Sequence, residues 1–290
     1  MAKCAESRLA LIEAAQNADG GWGYFPGKQS WLEPTAYALL ALASEPTAAA
    51  ALERGRRLLH SWEVASGGWR ACAQVAAAHW ATSLVVTLHS ALEIQDSSTR
   101  RAVDWLVSSR GAETRPLARL AHWLSPQTVA FDPALSGWPW EAGSSSWVEP
   151  TAHALMALGR LARQGGYAGL QDRIGMGHRM LLDRRCADGG WNYGNRRVLG
   201  SNLPSHPETT ALALMALDGH AAVRWGEMLD RVARLWRETA SPLARAWLGA
   251  CLMQYRGERP RASEPDACQS NDILALAVEE IPWNRILAAA

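Results

Sequence analysis

The chain has 290 residues, with 29 Lys and Arg against 28 Asp and Glu, a formal net charge of +1 and 48% hydrophobic residues. That length can bury a substantial core in one large or two small domains, and the near-neutral balance gives no electrostatic footprint for nucleic acid or an anionic membrane. No apolar run reaches transmembrane length, the opening MAKCAESRLALIEAAQ lacks the basic and apolar regions of a signal peptide, and five scattered cysteines fit a reduced, cytoplasmic protein.

Residues 3–16 place apolar side chains at three- and four-residue spacing, the pattern of a helix with one solvated face. "DGGWGY" around Trp22 follows, then Trp31-Leu32-Glu33-Pro34-Thr35-Ala36 running into the apolar YALLALA. A polar amphipathic helix is expected over 50–62, followed by "SGGWRA" at Trp69 and the apolar run "HWATSLVVTLHSAL". Segment 98–109 is again amphipathic, Pro-Leu-Ala-Arg at 116–119 opens a further apolar helix, and 126–135 reads as a weak one. The series then returns. "SGWPWE" at Trp138 precedes Trp147-Val148-Glu149-Pro150-Thr151-Ala152, and amphipathic 168–185 leads to "DGGWNY" at Trp191 and His206-Pro207-Glu208-Thr209-Thr210-Ala211. Amphipathic 222–238, a second Pro-Leu-Ala-Arg at 242–245 and a weak helix over 269–281 close the chain.

The order Glu-Pro-Thr-Ala, Gly-Gly-Trp helix, Pro-Leu-Ala-Arg thus occurs twice, at offsets of 116, 128 and 126 residues. This predicts a tandem duplication of three helical hairpins, with halves at about 1–130 and 131–290. Strand signals are close to absent. Apolar small-residue helices inside and charged amphipathic ones outside close most economically as an all-α (α/α)6 toroid; an open solenoid follows the same stacking logic without closure. The 15 Trp against two Phe ask for a structural cause, whereas 27 Arg against two Lys fit a GC-rich genome.

The Gly-Gly-Trp loops ahead of Thr-Ala helices resemble the QW-type repeats of the superfamily holding squalene–hopene cyclases, class II diterpene cyclases and protein prenyltransferase β subunits. "QNADGGWGY" is the nearest copy, with Gln16, Gly21 and Trp22 in the repeat's places. The resemblance runs over about residues 3–281 and implies a toroid around an apolar cavity, with an isoprenoid or other apolar small molecule as partner and no cofactor. The departures are equally clear. Where class II cyclases carry an Asp-x-Asp-Asp-Thr-Ala acid motif, this chain has Glu33, Glu149 and Glu208, and no Asp-Asp pair occurs anywhere.

Two readings of the glutamates stand side by side. As helix N-caps, anions at Glu33, Glu149 and Glu208 complement unpaired backbone N–H groups, and the Gly-Trp tryptophans staple the ring. As catalytic groups, the three carboxyls converge on one mouth, because the inner helices of a toroid run parallel. Trp31, Trp80, Trp147 and His206 stand beside them, Tyr37 lies one turn below Glu33, and His153 lies one turn below Glu149, placed to hold or reload its proton. A carboxyl among like charges and apolar walls holds its proton to high pH, and Trp faces stabilise a carbocation, which is the logic of a protonation-initiated cyclase. Two alternatives remain: a non-catalytic toroid binding an isoprenoid or a prenylated partner, and a zinc prenyltransferase. The last needs Asp266 and Cys268, the Asp-x-Cys pair of the prenyltransferase β subunits, with His206 in place of the family's later His.

Overall fold

The computed structural model describes residues 2–125, 130–165, 167, 169–258, 260 and 271–287. In chain order its helices are α1 (Ala2–Ala14), α2 (Leu32–Leu42), α3 (Ala49–Ser61), α4 (Thr82–Ala91), α5 (Ser97–Ser108), α6 (Pro116–Leu124), α7 (Val148–Gln164), α8 (Leu170–Asp183), α9 (Pro207–Leu217), α10 (Trp225–Glu238), α11 (Pro242–Arg256), α12 (Ile273–Glu280) and α13 (Trp283–Ile286). The described strands are two-residue ribbons: β1 (Trp138–Pro139) pairs antiparallel with β2 (Ser146–Trp147), and β3 (Arg197–Val198) with β4 (Ser201–Asn202).

Six helices form the inner wall. α2 packs on α4, α4 on α7, α7 on α9, α9 on α11, α11 on α12, and α12 back on α2, so the ring closes. These are the Ala- and Leu-rich helices whose residues are buried nearly all round, as in α2, α9 and α12. The amphipathic helices α3, α5, α8 and α10 lie outside, each with an apolar stripe against the ring and a charged face to solvent, and α1 packs on α12 and α2. The chain is an (α/α)6 toroid.

The Gly-Trp loops hold it together by one repeated device. In every copy the Trp backbone N–H donates to a threonine hydroxyl in the first turn of the next inner helix: Trp22 to Thr35 at 3.0 Å, Trp69 to Thr82 at 3.0 Å, Trp138 to Thr151 at 2.9 Å and Trp191 to Thr210 at 3.0 Å. Three of the buried indoles then donate to an outer-helix carbonyl: Trp22 to Ile12 (2.6 Å), Trp138 to Leu106 (2.8 Å) and Trp191 to Leu181 (2.6 Å). Each such Trp therefore rivets an inner helix to an outer one while burying a large apolar surface. Trp69 is the exception; its indole N–H has no acceptor among the described residues, and the His89 ring meets it edge-on at 5.3 Å. Gln16 joins its loop to α3 by donating to the Gly20 and Ala51 carbonyls, both at 2.8 Å. Gly20 sits at φ +94, and a Cβ there would lie 2.6 Å from the Arg54 carbonyl oxygen, so the turn needs glycine.

Neighbouring sectors are tied through the first amide of an inner helix. Leu32 N–H reaches Ala71 O at 2.8 Å, Val148 N–H reaches Tyr193 O at 2.8 Å, and Ile273 N–H reaches Tyr24 O at 3.0 Å. The last of these bonds the final inner helix to the first loop and closes the ring. Replacing Thr151 by Val removes the acceptor for the buried Trp138 amide, and is expected to lower stability by roughly 1–3 kcal/mol in a urea melt without altering the helical CD signature.

Several expectations are corrected here. The first Pro-Leu-Ala-Arg helix, α6, is not an inner helix; none of its residues is buried, and α12 completes the ring instead. The repeat of three hairpins is imperfect for that reason, since α6 is an insertion between outer α5 and inner α7. Of the weak helix expected at 126–135, residues 126–129 lie outside the described residues and 130–135 are not helical. The arginine excess is partly structural. Arg173 lies 3.3 Å above the Trp138 ring and donates to the carbonyls of Ser136, Ser109 and Gly137, and Arg185 lies 5.5 Å from the Trp191 ring.

Candidate functional site

The inner helices all start at the end where the Gly-Trp loops gather, and this end is the mouth of the toroid. Glu33, Glu149 and Glu208 each occupy the second position of an inner helix and are half-buried. They are not N-caps. The capping positions are Trp31, Trp147 and His206, all extended and none making a side-chain capping bond, and a neighbouring loop's carbonyl takes the first amide of α2 and of α7. The glutamates lie instead in the first turn, where their charge still faces the helix N-terminus.

A fourth acid joins them. Asp272 does cap its helix, accepting from the Leu274 and Ala275 amides at 2.9 and 3.4 Å, and α12 packs directly on α2. Burial raises its pKa, and its charge in turn raises those of Glu33 and Glu208.

The glutamates differ in their partners. Glu33 accepts a 2.7 Å hydrogen bond from the Tyr24 hydroxyl. Burial lifts its pKa to about 7, the Tyr24 bond pulls against that lift, and Glu208 and Asp272 add to it. Glu149 has no side-chain hydrogen bond among the described residues; burial, then the charges of Glu33 and Glu208, drive its pKa well above the carboxylate range. Glu208 is raised chiefly by burial and then by Asp272. The carboxyls are therefore inequivalent: the Tyr24 phenol favours the charged form of Glu33 against burial and the charges of Glu208 and Asp272, whereas burial and two acidic neighbours all raise Glu149. Replacing Tyr24 by Phe should move the Glu33 titration above about 7, read by NMR of 13C-labelled glutamate, because the one interaction that favours its charged form is lost.

One turn into the helices from the acids, the inside of the ring is packed with aromatic side chains. The Tyr37 hydroxyl and His153 Nε2 are 3.0 Å apart, bridging α2 and α7. His153 also packs against Trp80 and Trp247 at ring-centroid distances of 5.4 and 5.5 Å, and Tyr37 packs on Trp247 at 6.0 Å. All four are at most 3% exposed. Trp140 extends this wall from Trp80 toward the rim, at 4.9 Å. Burial pushes the His153 pKa down to about 3, so the ring is neutral and engages Tyr37, not Glu149, among the hydrogen bonds observed. Trp31 is half-buried against Tyr24, His206 meets the Tyr193 ring at a tilt with centroids 5.0 Å apart, and Trp147 is half-buried beside Gly194.

Tyr24, Trp140, Trp247 and Asp272 were not among the expected site residues. Tyr24 carried a signal, since Tyr193 stands at the same place two residues past its Gly-Trp tryptophan. Asp272 also had one, as a lone acid just ahead of the apolar ILALAV. The Asp266 and Cys268 of the zinc reading lie outside the described residues, and the last inner helix begins later, at Ile273. No group of three His, Cys, Asp or Glu side chains arranged to hold a metal occurs among the described residues. Cys72, Cys186 and Cys251 are buried free thiols, and Cys4 also falls outside the described side chains.

No family model matches the chain. It is 41% identical over 71 residues to drimenyl diphosphate synthase from Streptomyces showdoensis, a match covering 24% of this chain and 13% of that protein. Its fold is similar to that of the type II terpene cyclase MstE from Scytonema, with TM-score 0.56 and 18% identity over 98% of this chain and 78% of that one. MstE variants have been solved with geranylgeranyl dihydroxybenzoate as substrate and merosterolic acid A as product. Cellobiose 2-epimerase from Spirochaeta thermophila is also similar, with TM-score 0.53 and 13% identity over 94% of this chain and 80% of that one. These likenesses define the toroid, a fold that serves both terpene and sugar chemistry; the function must come from the site. No described helix is long and apolar enough to cross a membrane.

Proposed function

We propose that this protein binds an isoprenoid at the mouth of the toroid and starts its cyclisation or isomerisation by proton transfer from Glu149. The observation that carries this reading is a carboxyl group with a strongly raised pKa and no side-chain hydrogen bond among the described residues, one helical turn from His153 and the aromatic rings packed around it. Support comes from the short drimenyl diphosphate synthase match and from the terpene cyclase sharing the fold.

Electrostatics favour such a transfer in this setting. Moving a proton from a neutral carboxylic acid to an alkene creates a carboxylate and a carbocation together, so the net charge of the site is unchanged. The like charges of Glu33 and Glu208 that oppose ionisation of Glu149 attract the new cation. Aromatic faces add about 0.5–2 kcal/mol each, and the lumen supplies Trp80, Trp140 and Trp247. Glu33, held by Tyr24, is the second choice of acid, and Glu208 the third. Tyr37 and His153 form a neutral polar bridge that fixes the floor of the site; they orient and do not carry the proton.

The test is incubation with linear prenyl diphosphates and prenyl alcohols of several lengths, followed by mass-resolved chromatography. The expected result is a product isomeric with its substrate. Recovery of every substrate unchanged, although it quenches Trp fluorescence saturably, would leave a binding protein in place of an enzyme.

A further inference from the structure

The second Gly-Trp sector breaks the device that the other three repeat. Trp22 and Trp191 each donate their indole N–H to the carbonyl 10 residues upstream, and Trp138 donates to that of Leu106. The matching carbonyl for Trp69 belongs to Leu59, yet Trp69 Nε1 is buried with no acceptor among the described residues. Both residues line a cleft of about 220 Å³ formed by α3, the last turn of α4 and the start of α5. That volume is many times the roughly 10–15 Å³ that one water needs. The cleft is remote from the acids, because His89 marks the closing end of α4 whereas the glutamates stand where α2, α7 and α9 open.

His89 lines the same cleft and is held in one tautomer. The Thr99 hydroxyl donates to Asp96 Oδ1 at 2.8 Å, so in its 2.6 Å contact with His89 Nδ1 the imidazole must be the donor. Burial lowers the His89 pKa, and the neutral ring therefore keeps Nε2 as an acceptor, with no partner among the described residues. Asp96 receives Ser98 and Thr99 through Oδ1, which leaves Oδ2 as a second acceptor. Arg56, exposed on α3, adds donors at the rim. The charges lining the cleft cancel: Glu53 pairs with Arg57 at 3.7 Å, and Asp96 offsets Arg56. Glu63 nearby is engaged by Arg101 and by His60.

We propose that this cleft binds a small uncharged polyhydroxylated molecule, a polyol or monosaccharide. One hydroxyl accepts from Trp69 Nε1 and another donates to His89 Nε2, whose rings lie 5.3 Å apart and so within reach of a single ligand. A hydrocarbon would leave the buried indole N–H unpaired, and an anion would meet the Asp96 carboxylate and a ring nitrogen that cannot donate. Hydroxyl groups both donate and accept, which matches the mixed set of donors and acceptors here.

Titration of the 15N-labelled full chain with erythritol, D-glucose and inorganic phosphate, followed at the assigned Trp69 indole N–H by NMR, tests this. A saturable shift of that signal is expected with erythritol or glucose and none with phosphate. His89→Phe, which keeps an aromatic ring against Trp69 but removes Nε2, should weaken binding at least tenfold. Arg56→Ala changes only an exposed side chain, so it folds as the parent does, and should weaken binding about threefold. Glu149→Gln should bind as the parent does, so failure of the catalytic reading leaves this result intact. A Trp69 signal that neither erythritol nor glucose moves, one that phosphate moves instead, or binding that both variants retain in full would each overturn the proposal.

Discussion

Glu149→Gln is expected to keep the fold and the ligand affinity while lowering turnover by at least roughly 10³, because an amide of the same shape cannot give up that proton. The single variants should rank by how strongly each neighbouring charge raises Glu149, Glu33 before Glu208. Glu33→Gln removes the charge that raises Glu149, and should cost roughly 10- to 100-fold while shifting the pH profile. Glu208→Gln, farther along the same set, should cost least. Purified variants assayed beside the parent, with melting temperatures recorded, decide the ranking. If Glu33→Gln is the dead variant and Glu149→Gln retains most activity, the acid is the residue that Tyr24 holds, and the assignment reverses.

The second large effect is on stability against pH. Glu33 titrates at about 7 in the folded chain and Glu149 well above its usual value, against about 4.3 for glutamate in an unfolded chain. A carboxyl raised by folding contributes stability that is fully present below the unfolded pKa and is lost as pH rises through the folded one. Buried histidines act oppositely, with His79 lowered to about 4 and His153 to about 3, but only below about 6.5. Between pH 6.5 and 8.5 the glutamates therefore set the slope, joined toward the top of the range by the buried Cys186 and Cys251 thiols, whose raised pKa acts in the same direction. The melting temperature should fall over that range, equivalent to roughly 1–3 kcal/mol, and Glu149→Gln should flatten the slope and melt higher than the parent at pH 8.5. Calorimetry across those buffers checks it. A capping role would give the reverse, a loss of about 0.5–2 kcal/mol in each Gln variant at every pH.

Much of this architecture was legible because it is written locally and repeatedly. Trp22 and Thr35, Trp69 and Thr82, and Trp138 and Thr151 each stand 13 residues apart, and each pair makes the same hydrogen bond. The convergence of three glutamates at one mouth likewise follows from parallel inner helices alone. What was hidden depends on which surfaces meet. Pro-Leu-Ala-Arg opens both α6 and α11, yet one is exposed and the other buried, and no local pattern encodes the difference. Closure of the ring through Ile273 and Tyr24 spans nearly the whole chain, so Asp272 could not be placed beside Glu33 beforehand. His153 shows the same limit. Its position one turn below Glu149 was correct as helical spacing, but the tyrosine that engages it comes from a helix 116 residues away.

Proton transfer from a mouth glutamate to the substrate is the centre of this account, and solvent isotope incorporation tests it most directly. In deuterium oxide, the product formed from a linear prenyl substrate should carry one deuterium from the solvent, on the carbon protonated in the first step, and Glu149→Gln should form none of it. A cyclised product with no solvent deuterium, or one made by Glu149→Gln at the parent rate, would contradict the assignment of that proton to Glu149.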